Sequence, residues 1–319
     1  MKLKLLILLF LIIISGTIFS YEEISTCEEL QEINEDSSKD YILINDIDCY
    51  DTINWNNGEG FLPIPLKEDC EDYKGKTGFN GTFDGRGHVI KNLFINRSET
   101  CFVGVFSHLL SEGSIRNVGV INATIYGHDR TGTILAFNDG FVDQTFSEGH
   151  YVYGHNNIGG LIGENQAGKI TNSYAIGKVL GHVFVGGLIG DNDSGEIENT
   201  YSIVQIKGMI DLGGLSGYQR KEGFKSSYWD LEKSNINISD GGKSLFGSDF
   251  SNRSKFIGWD FESVWEIKEG YPKLSFKNIS KLPKKERKVT DYSSIIFPML
   301  TAALIFILIT SLTFQKKEY

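Results

Sequence analysis

Five similar blocks recur at a nearly fixed step, and this regularity constrains the fold more than any other feature of the chain. VGVFSHLL, TGTILAFN, IGGLIGEN, VGGLIGDN and LGGLSGYQ begin at residues 103, 131, 158, 185 and 212, giving steps of 28, 27, 27 and 27 residues. A second block follows each one: GSIRNVGV, GFVDQTFS, GKITNSYA, GEIENTYS and EGFKSSYW. Column by column, these align Gly104, Gly132, Gly159, Gly186 and Gly213, then Phe106, Ile134, Leu161, Leu188 and Leu215, then Ile115, Val142, Ile170, Ile197 and Phe224. A unit this short cannot bury its own apolar residues, so the units must stack into a linear array.

The local pattern selects the kind of array. Each unit holds short β-favouring runs separated by Gly, Asn, Asp and Ser, with no stretch of ten or more residues at helical period. That excludes helical-pair repeats, and the leucine-rich-repeat spacing is missing. The pattern predicts an all-β fold: a right-handed parallel β-helix with coils of about 27 residues, stacked at about 4.8 Å. Phe146, Tyr174, Tyr201 and Tyr228 form an aromatic column, read as structural stacking in preference to a ligand-binding stripe. Asn117, Asn172 and Asn199 are read as a possible amide ladder.

The repeats occupy residues 103–235. Residues 21–102 read as an N-terminal cap and first coils, with a capping box at Ser25-Thr26-Cys27-Glu28, a helix to about Asn34 and a strand over 41–47. Residues 236–280 read as a C-terminal cap, with the aromatic segment 258–274 closing the last coil.

The two ends carry membrane signals. Residues 1–20 have two lysines, ten unbroken apolar residues and a small or polar run, the layout of a signal peptide. Residues 295–314 are twenty residues without a charge, long enough for one transmembrane helix. The expectation is a single-pass type I membrane protein at the cell surface, held in the lipid bilayer by this helix. A basic juxtamembrane linker spans 281–294 and a short cytoplasmic tail 315–319. The tail, Lys316-Lys317-Glu318-Tyr319, also resembles a dilysine retrieval signal, which makes the endoplasmic reticulum the alternative location.

Charge narrows the partners. The chain carries a formal −10, but residues 21–280 contain 38 acidic and 22 basic side chains, a net of −16. Nucleic acid is therefore excluded as a partner, and an extracellular or lumenal protein or glycan is expected. Four cysteines, Cys27, Cys49, Cys70 and Cys101, lie in the first third of the chain. Behind a signal peptide, an even number points to two disulfides. Of the three possible pairings, Cys27 with Cys49 and Cys70 with Cys101 is preferred because each pair brackets a neighbouring segment. Seven glycosylation sequons begin at Asn80, Asn96, Asn122, Asn192, Asn237, Asn252 and Asn278.

Catalytic signatures are missing. None of the six histidines, His88, His108, His128, His150, His155 and His182, sits in H-E-x-x-H or H-x-x-E-H, and there is no G-x-S-x-G elbow or Walker loop. No cofactor and no metal are expected. His150, His155 and His182 lie near unit boundaries and could converge, although surface turn residues are the plainer reading. Glu164 and Asp191 share a column one coil apart, with Asp193 nearby. Such a pair could hold calcium or act as a catalytic dyad, but the position reads better as a solvated turn.

The strings IGGLIGENQAGKITNSYAIGKVLG at 158–181 and VGGLIGDNDSGEIENTYS at 185–202 resemble the GLUG-motif family of surface proteins, as do the flanks TCEELQEIN, GTFDGRGHVIKNLFIN and GWDFESVWEIKEGYPKL. The resemblance spans about residues 25–274 and implies secreted or surface-attached, adhesin-like proteins. The motif also occurs in some bacterial immunoglobulin-cleaving metallopeptidases, whose metal-binding signature this chain lacks. The resulting expectation is a membrane-anchored β-helical recognition or adhesion domain without a catalytic site. A carbohydrate-active β-helix enzyme and an inert spacer are the alternatives.

Overall fold

The repeat period becomes a backbone register. In the computed structural model, which describes residues 21–67, 70 and 77–277, Val103 bridges to Thr131 and Thr131 to Ile158, while Ile158 pairs with Val185 and Val185 with Leu212, all in parallel. Each unit is thus one coil of a parallel β-solenoid, whose strands pair with their copies in the next coil. One sheet stacks five parallel strands: Phe106–Leu109, Leu135–Asn138, Ile162–Asn165, Ile189–Asn192 and Ser216–Gln219. A three-stranded sheet stacks Asn156–Gly159, Val183–Gly186 and Ile210–Gly213, and a sixteen-stranded one begins at Glu22–Ile24 and reaches Lys243–Leu245.

The apolar columns fill the interior. Tyr41, Phe83, Ile115, Val142, Ile170, Ile197 and Phe224 pair in succession, each with the next. Ile134, Leu161, Leu188 and Leu215 form a second buried column. Each large side chain so buried contributes roughly 1.5–3 kcal/mol. Phe106 departs from the column expected of it and pairs with Leu135, because the next coil holds one extra residue between Thr131, which bridges Val103, and this strand. Backbones approach closely at the corners: a Cβ on Gly186 would lie 1.8 Å from the carbonyl oxygen of Ile189.

A different set of asparagines makes the amide ladder. Asn138 Nδ2 donates to Asn165 Oδ1 at 2.8 Å, and Asn165 Nδ2 donates to Asn192 Oδ1 at 2.8 Å, all three being fully buried. Asn117 and Asn172 instead donate to Asp84 and Asp143, each at 2.9 Å. Only a long 3.5 Å contact joins Asn199 to Asn172. The reason is conformational: Asn117, Asn172 and Asn199 have φ of 54°, 46° and 56°. They serve as left-handed corner residues, a role asparagine tolerates well.

At the N-terminal end, the helix Cys27–Glu32 is capped by Thr26, with Glu29 completing the box one residue later than the sequence suggested. The expected strand over 41–47 is broken into Tyr41–Leu43 and Ile47–Asp48. Cys27 is bonded to Cys49 and Cys70 to Cys101, the preferred pairing.

The C-terminal segment does more than close the last coil. Lys243–Leu245 pairs with Tyr228–Asp230 and extends the stack. Beyond it, the chain turns along the side of the solenoid. Phe146, Tyr174 and Tyr201 stack at 5.1 and 4.9 Å, nearly parallel. Phe276 covers Phe146, Trp265 covers Tyr174 and Tyr201, and Trp259 and Phe256 cover Tyr228. The hairpin Trp265–Lys268 and Tyr271–Leu274 belongs to this lateral clasp. Its position corrects the expectation that 258–274 caps the open end: the aromatic column stands on the outer wall, and burying it there requires a cover from the side.

Among the described residues, no helix is long and apolar enough to cross a membrane. The signal peptide expected over 1–20, the linker over 281–294, the transmembrane helix over 295–314 and the tail over 315–319 lie outside the described residues.

Candidate functional site

The coils turn through left-handed residues, and one column of these has an unusual composition. Phe102, Arg130, Asn157, Phe184 and Asp211 have φ between 52° and 60°, one residue per coil. Holding a bulky side chain there costs on the order of 1 kcal/mol or more, and such strain tends to gather at functional positions. Beside this column runs another from the five-stranded sheet: His108, Phe137, Glu164, Asp191 and Tyr218, each in register with the next.

The two columns pack into one strip. Its first part is sealed: Phe102 meets Phe137 edge-on at 5.9 Å, His108 meets Phe137 at 4.9 Å, and the Arg130 guanidinium lies 5.0 Å from the Phe102 ring centre. Its later part opens to solvent. Phe184 and Tyr218, both half-buried, bring their rings to 4.9 Å. Asp211 and Arg220 are exposed beside them.

Glu164 and Asp191 lie between these two parts. Both are in strands, and about nine-tenths buried, which corrects the reading of their column as a solvated turn. The sheet register carries them one residue short of the amide ladder, under the corner column. Glu164 Oε2 accepts from Arg130 Nε at 2.8 Å and Asn157 Nδ2 at 2.7 Å. Burial raises its pKa, opposed by Arg130 and Asn157.

Asp191 differs in having a buried Oδ1 with no hydrogen-bond partner. Burial first, then Glu164 and Asp193, push its pKa up to about 7, against the pull of Arg220 and Arg130. Asp193 itself pairs with Arg220 at 2.5 Å and accepts from Gln166 at 2.9 Å. At neutral pH, Asp191 is therefore a carboxyl group poised between donor and acceptor. Glu164 is already anchored to the wall by Arg130 and Asn157.

The histidines separate. His155 and His182 do converge, but their third member is His128: ring centres lie 5.1 Å apart for His128 and His155 and 4.7 Å for His155 and His182. His150 is buried elsewhere, with its Nδ1 3.0 Å from Ser147 Oγ, and burial lowers its pKa to about 3. His108 is buried against Asp139 at 2.9 Å.

Of the sequon asparagines, Asn80, Asn96, Asn122, Asn237 and Asn252 are exposed, and Asn278 lies outside the described residues. Asn192 is corrected from the sequence reading. Its side chain is fully buried and bonded to Asn165 and to the Gly195 carbonyl, which leaves no path for a glycan.

Residues 154–180, one full coil of this stack, match the family model described as the GLUG motif. The chain carries the GLUG motif. The match includes His155, Asn157 and Glu164, so part of the strip and of the histidine ladder falls within a GLUG coil. Halomucin of Haloquadratum walsbyi is 38% identical over 140 residues, covering 42% of this chain and 2% of that much longer protein. Among solved structures, a putative immunoglobulin A1 protease from Bacteroides ovatus is 18% identical with a TM-score of 0.48, covering 82% of this chain and 94% of that one.

Sequence reasoning found the Glu164 and Asp191 column but missed the corner column beside it. The 27-residue recurrence of Arg130, Asn157, Phe184 and Asp211 was a usable signal; their dissimilar chemistry concealed it.

Proposed function

We propose that the solenoid is a surface-displayed recognition domain that binds a neutral glycan along the open part of the strip, at Phe184 and Tyr218, with Asp191 at its inner edge. The observation that carries this reading is the half-buried Phe184 and Tyr218 ring pair, with Asp191 in register beside Tyr218. Apolar ring faces suit the C–H faces of a sugar, and carboxyl, amide and guanidinium groups suit its hydroxyls. The acidic surface disfavours sulfated chains. The resemblance to halomucin over part of the chain supports display at a cell surface. The signal-like segment 1–20 and the apolar segment 295–314 support secretion and a single membrane anchor. The parallel crossovers support the right-handed winding, which is nearly universal for such connections.

A second reading has one observation in its favour. Asp191 near pH 7 beside Glu164 has the character of an acid and carboxylate pair. Glu164, however, is engaged by Arg130 and Asn157 and faces the wall of the coil. Presenting the full chain with a polysaccharide panel tests both. Retention without turnover supports recognition. Turnover that is lost in Glu164→Gln plus Asp191→Asn supports the enzyme and overturns recognition.

A further inference from the structure

A second side-chain ladder runs two residues before the corner column in three of the coils and has a different chemistry. His128, His155 and His182 each follow a glycine, at 127, 154 and 181, and each occupies the same place in its coil. Their backbones are locked in register: His155 N donates to His128 O at 2.8 Å and His182 N to His155 O at 2.9 Å. Three imidazoles are therefore held one above another. Inward columns at this spacing are sealed in the core, but these rings are not. The His128 and His155 side chains are 40% and 45% exposed, and His182 is half-buried.

Asp129 organises the ladder. Its Oδ1 lies 3.3 Å from His128 Nδ1 and 3.4 Å from His155 Nδ1, and it also accepts from the Asn156 backbone N–H at 3.1 Å. These are ion-pair distances and not hydrogen bonds, but they put one carboxylate within reach of both Nδ1 atoms. A carboxylate that accepts from Nδ1 leaves Nε2 as the metal-binding atom and fixes the ring. Cys101 Sγ is 3.8 Å from His128 Nδ1, but its disulfide to Cys70 removes it as a thiolate donor.

We propose that His128, His155 and His182 bind a divalent cation of the zinc, copper and nickel class through ring nitrogens, with Asp129 as the orienting group. Imidazole suits these ions and not calcium or magnesium, which take oxygen ligands. A tetrahedral zinc with bonds of about 2.0–2.1 Å draws its ligand nitrogens to about 3.4 Å from one another. The three rings do not yet bring their nitrogens that close, so binding requires the partly exposed rings to rotate towards one another. Met209 continues the column, exposed and bonded through its N–H to His182 O at 3.1 Å, and offers only a weak thioether at the open end.

The test is calorimetric titration of the full chain, prepared without a histidine tag, with Zn2+ and separately with Ca2+. The expected result is one saturable Zn2+ site and no saturable Ca2+ binding at the ladder. His155→Ala should abolish the site, Asp129→Asn should weaken it about tenfold or more, and His88→Ala, at a remote histidine, should leave it unchanged. Circular dichroism establishes that each variant retains its fold. As a second readout, Cu2+ bound to the parent should show nitrogen hyperfine coupling that is lost in His128→Ala plus His155→Ala. No saturable Zn2+ binding by the parent, or equal binding by the folded triple variant lacking all three histidines, would overturn the proposal.

Discussion

Asn165 donates its side-chain amide to Asn192 Oδ1 at 2.8 Å, one coil along, and both side chains are wholly buried. The same Nδ2 also reaches the Gly168 carbonyl at 3.2 Å, while Oδ1 accepts from Asn138. Asn165→Leu strands the Asn138 amide and the Asn192 oxygen, while the Gly168 carbonyl keeps the Glu196 N–H at 3.0 Å. At about 1–3 kcal/mol for each buried group left unpaired, the variant should lose about 2 kcal/mol or more. A fall in the urea midpoint with an unchanged slope checks this.

Much of this architecture was legible in the sequence, because a solenoid turns a repeat directly into a register. The column from Ile115 to Phe224 and the stack from Phe146 to Tyr228 pair as their spacing predicts. The amide ladder was misplaced because asparagine has two uses in a coil. Asn165 hydrogen-bonds inward, whereas Asn172 turns a corner at positive φ, and spacing alone does not separate them. The lateral clasp was hidden for another reason: Trp265 on Tyr174 is a contact between a non-repeating segment and a repeating one. The burial of Glu164 and Asp191 likewise depends on neighbours supplied by other coils.

The clasp has its own energetic signature. Trp265 is buried against Tyr174, Tyr201 and, at 4.3 Å, Trp259, while Lys273 pairs with Glu148 at 2.6 Å. Trp265→Ala should cost about 3–5 kcal/mol. Limited proteolysis should then cut within 250–276 while the coils resist, because the clasp lies outside the coil-to-coil register.

Two buried groups should tilt stability in opposite directions with pH. The folded pKa of Asp191, about 7, lies above the unfolded value of about 3.9. The folded state then holds the extra proton between these values, and stability falls as pH rises through about 4 to 7. His150 is lowered to about 3 from about 6.5. Its contribution is fully present above about 6.5 and is lost as pH falls towards 3. Asp191→Asn should therefore raise stability at pH 8, by on the order of 2 kcal/mol, and steepen the loss in acid. His150→Gln should flatten the acid side. Thermal melts from pH 4 to pH 8 read both slopes.

Glycan attachment should follow burial. In a host with the oligosaccharide machinery, glycopeptide mapping should find modification among Asn80, Asn96, Asn122, Asn237 and Asn252, and Asn192 unmodified. Substantial occupancy at Asn192 would contradict the ladder as described.

The central claim is that the open part of the strip recognises a glycan. The most direct measurement is an immobilised glycan array probed with the full chain and with Phe184→Ala, Tyr218→Ala and Tyr153→Ala, the last on an exposed tyrosine outside the strip. The account predicts binding to neutral glycans that is lost with Phe184→Ala and Tyr218→Ala and kept with Tyr153→Ala. Binding that survives loss of both strip aromatics, or no binding by the parent, would contradict it.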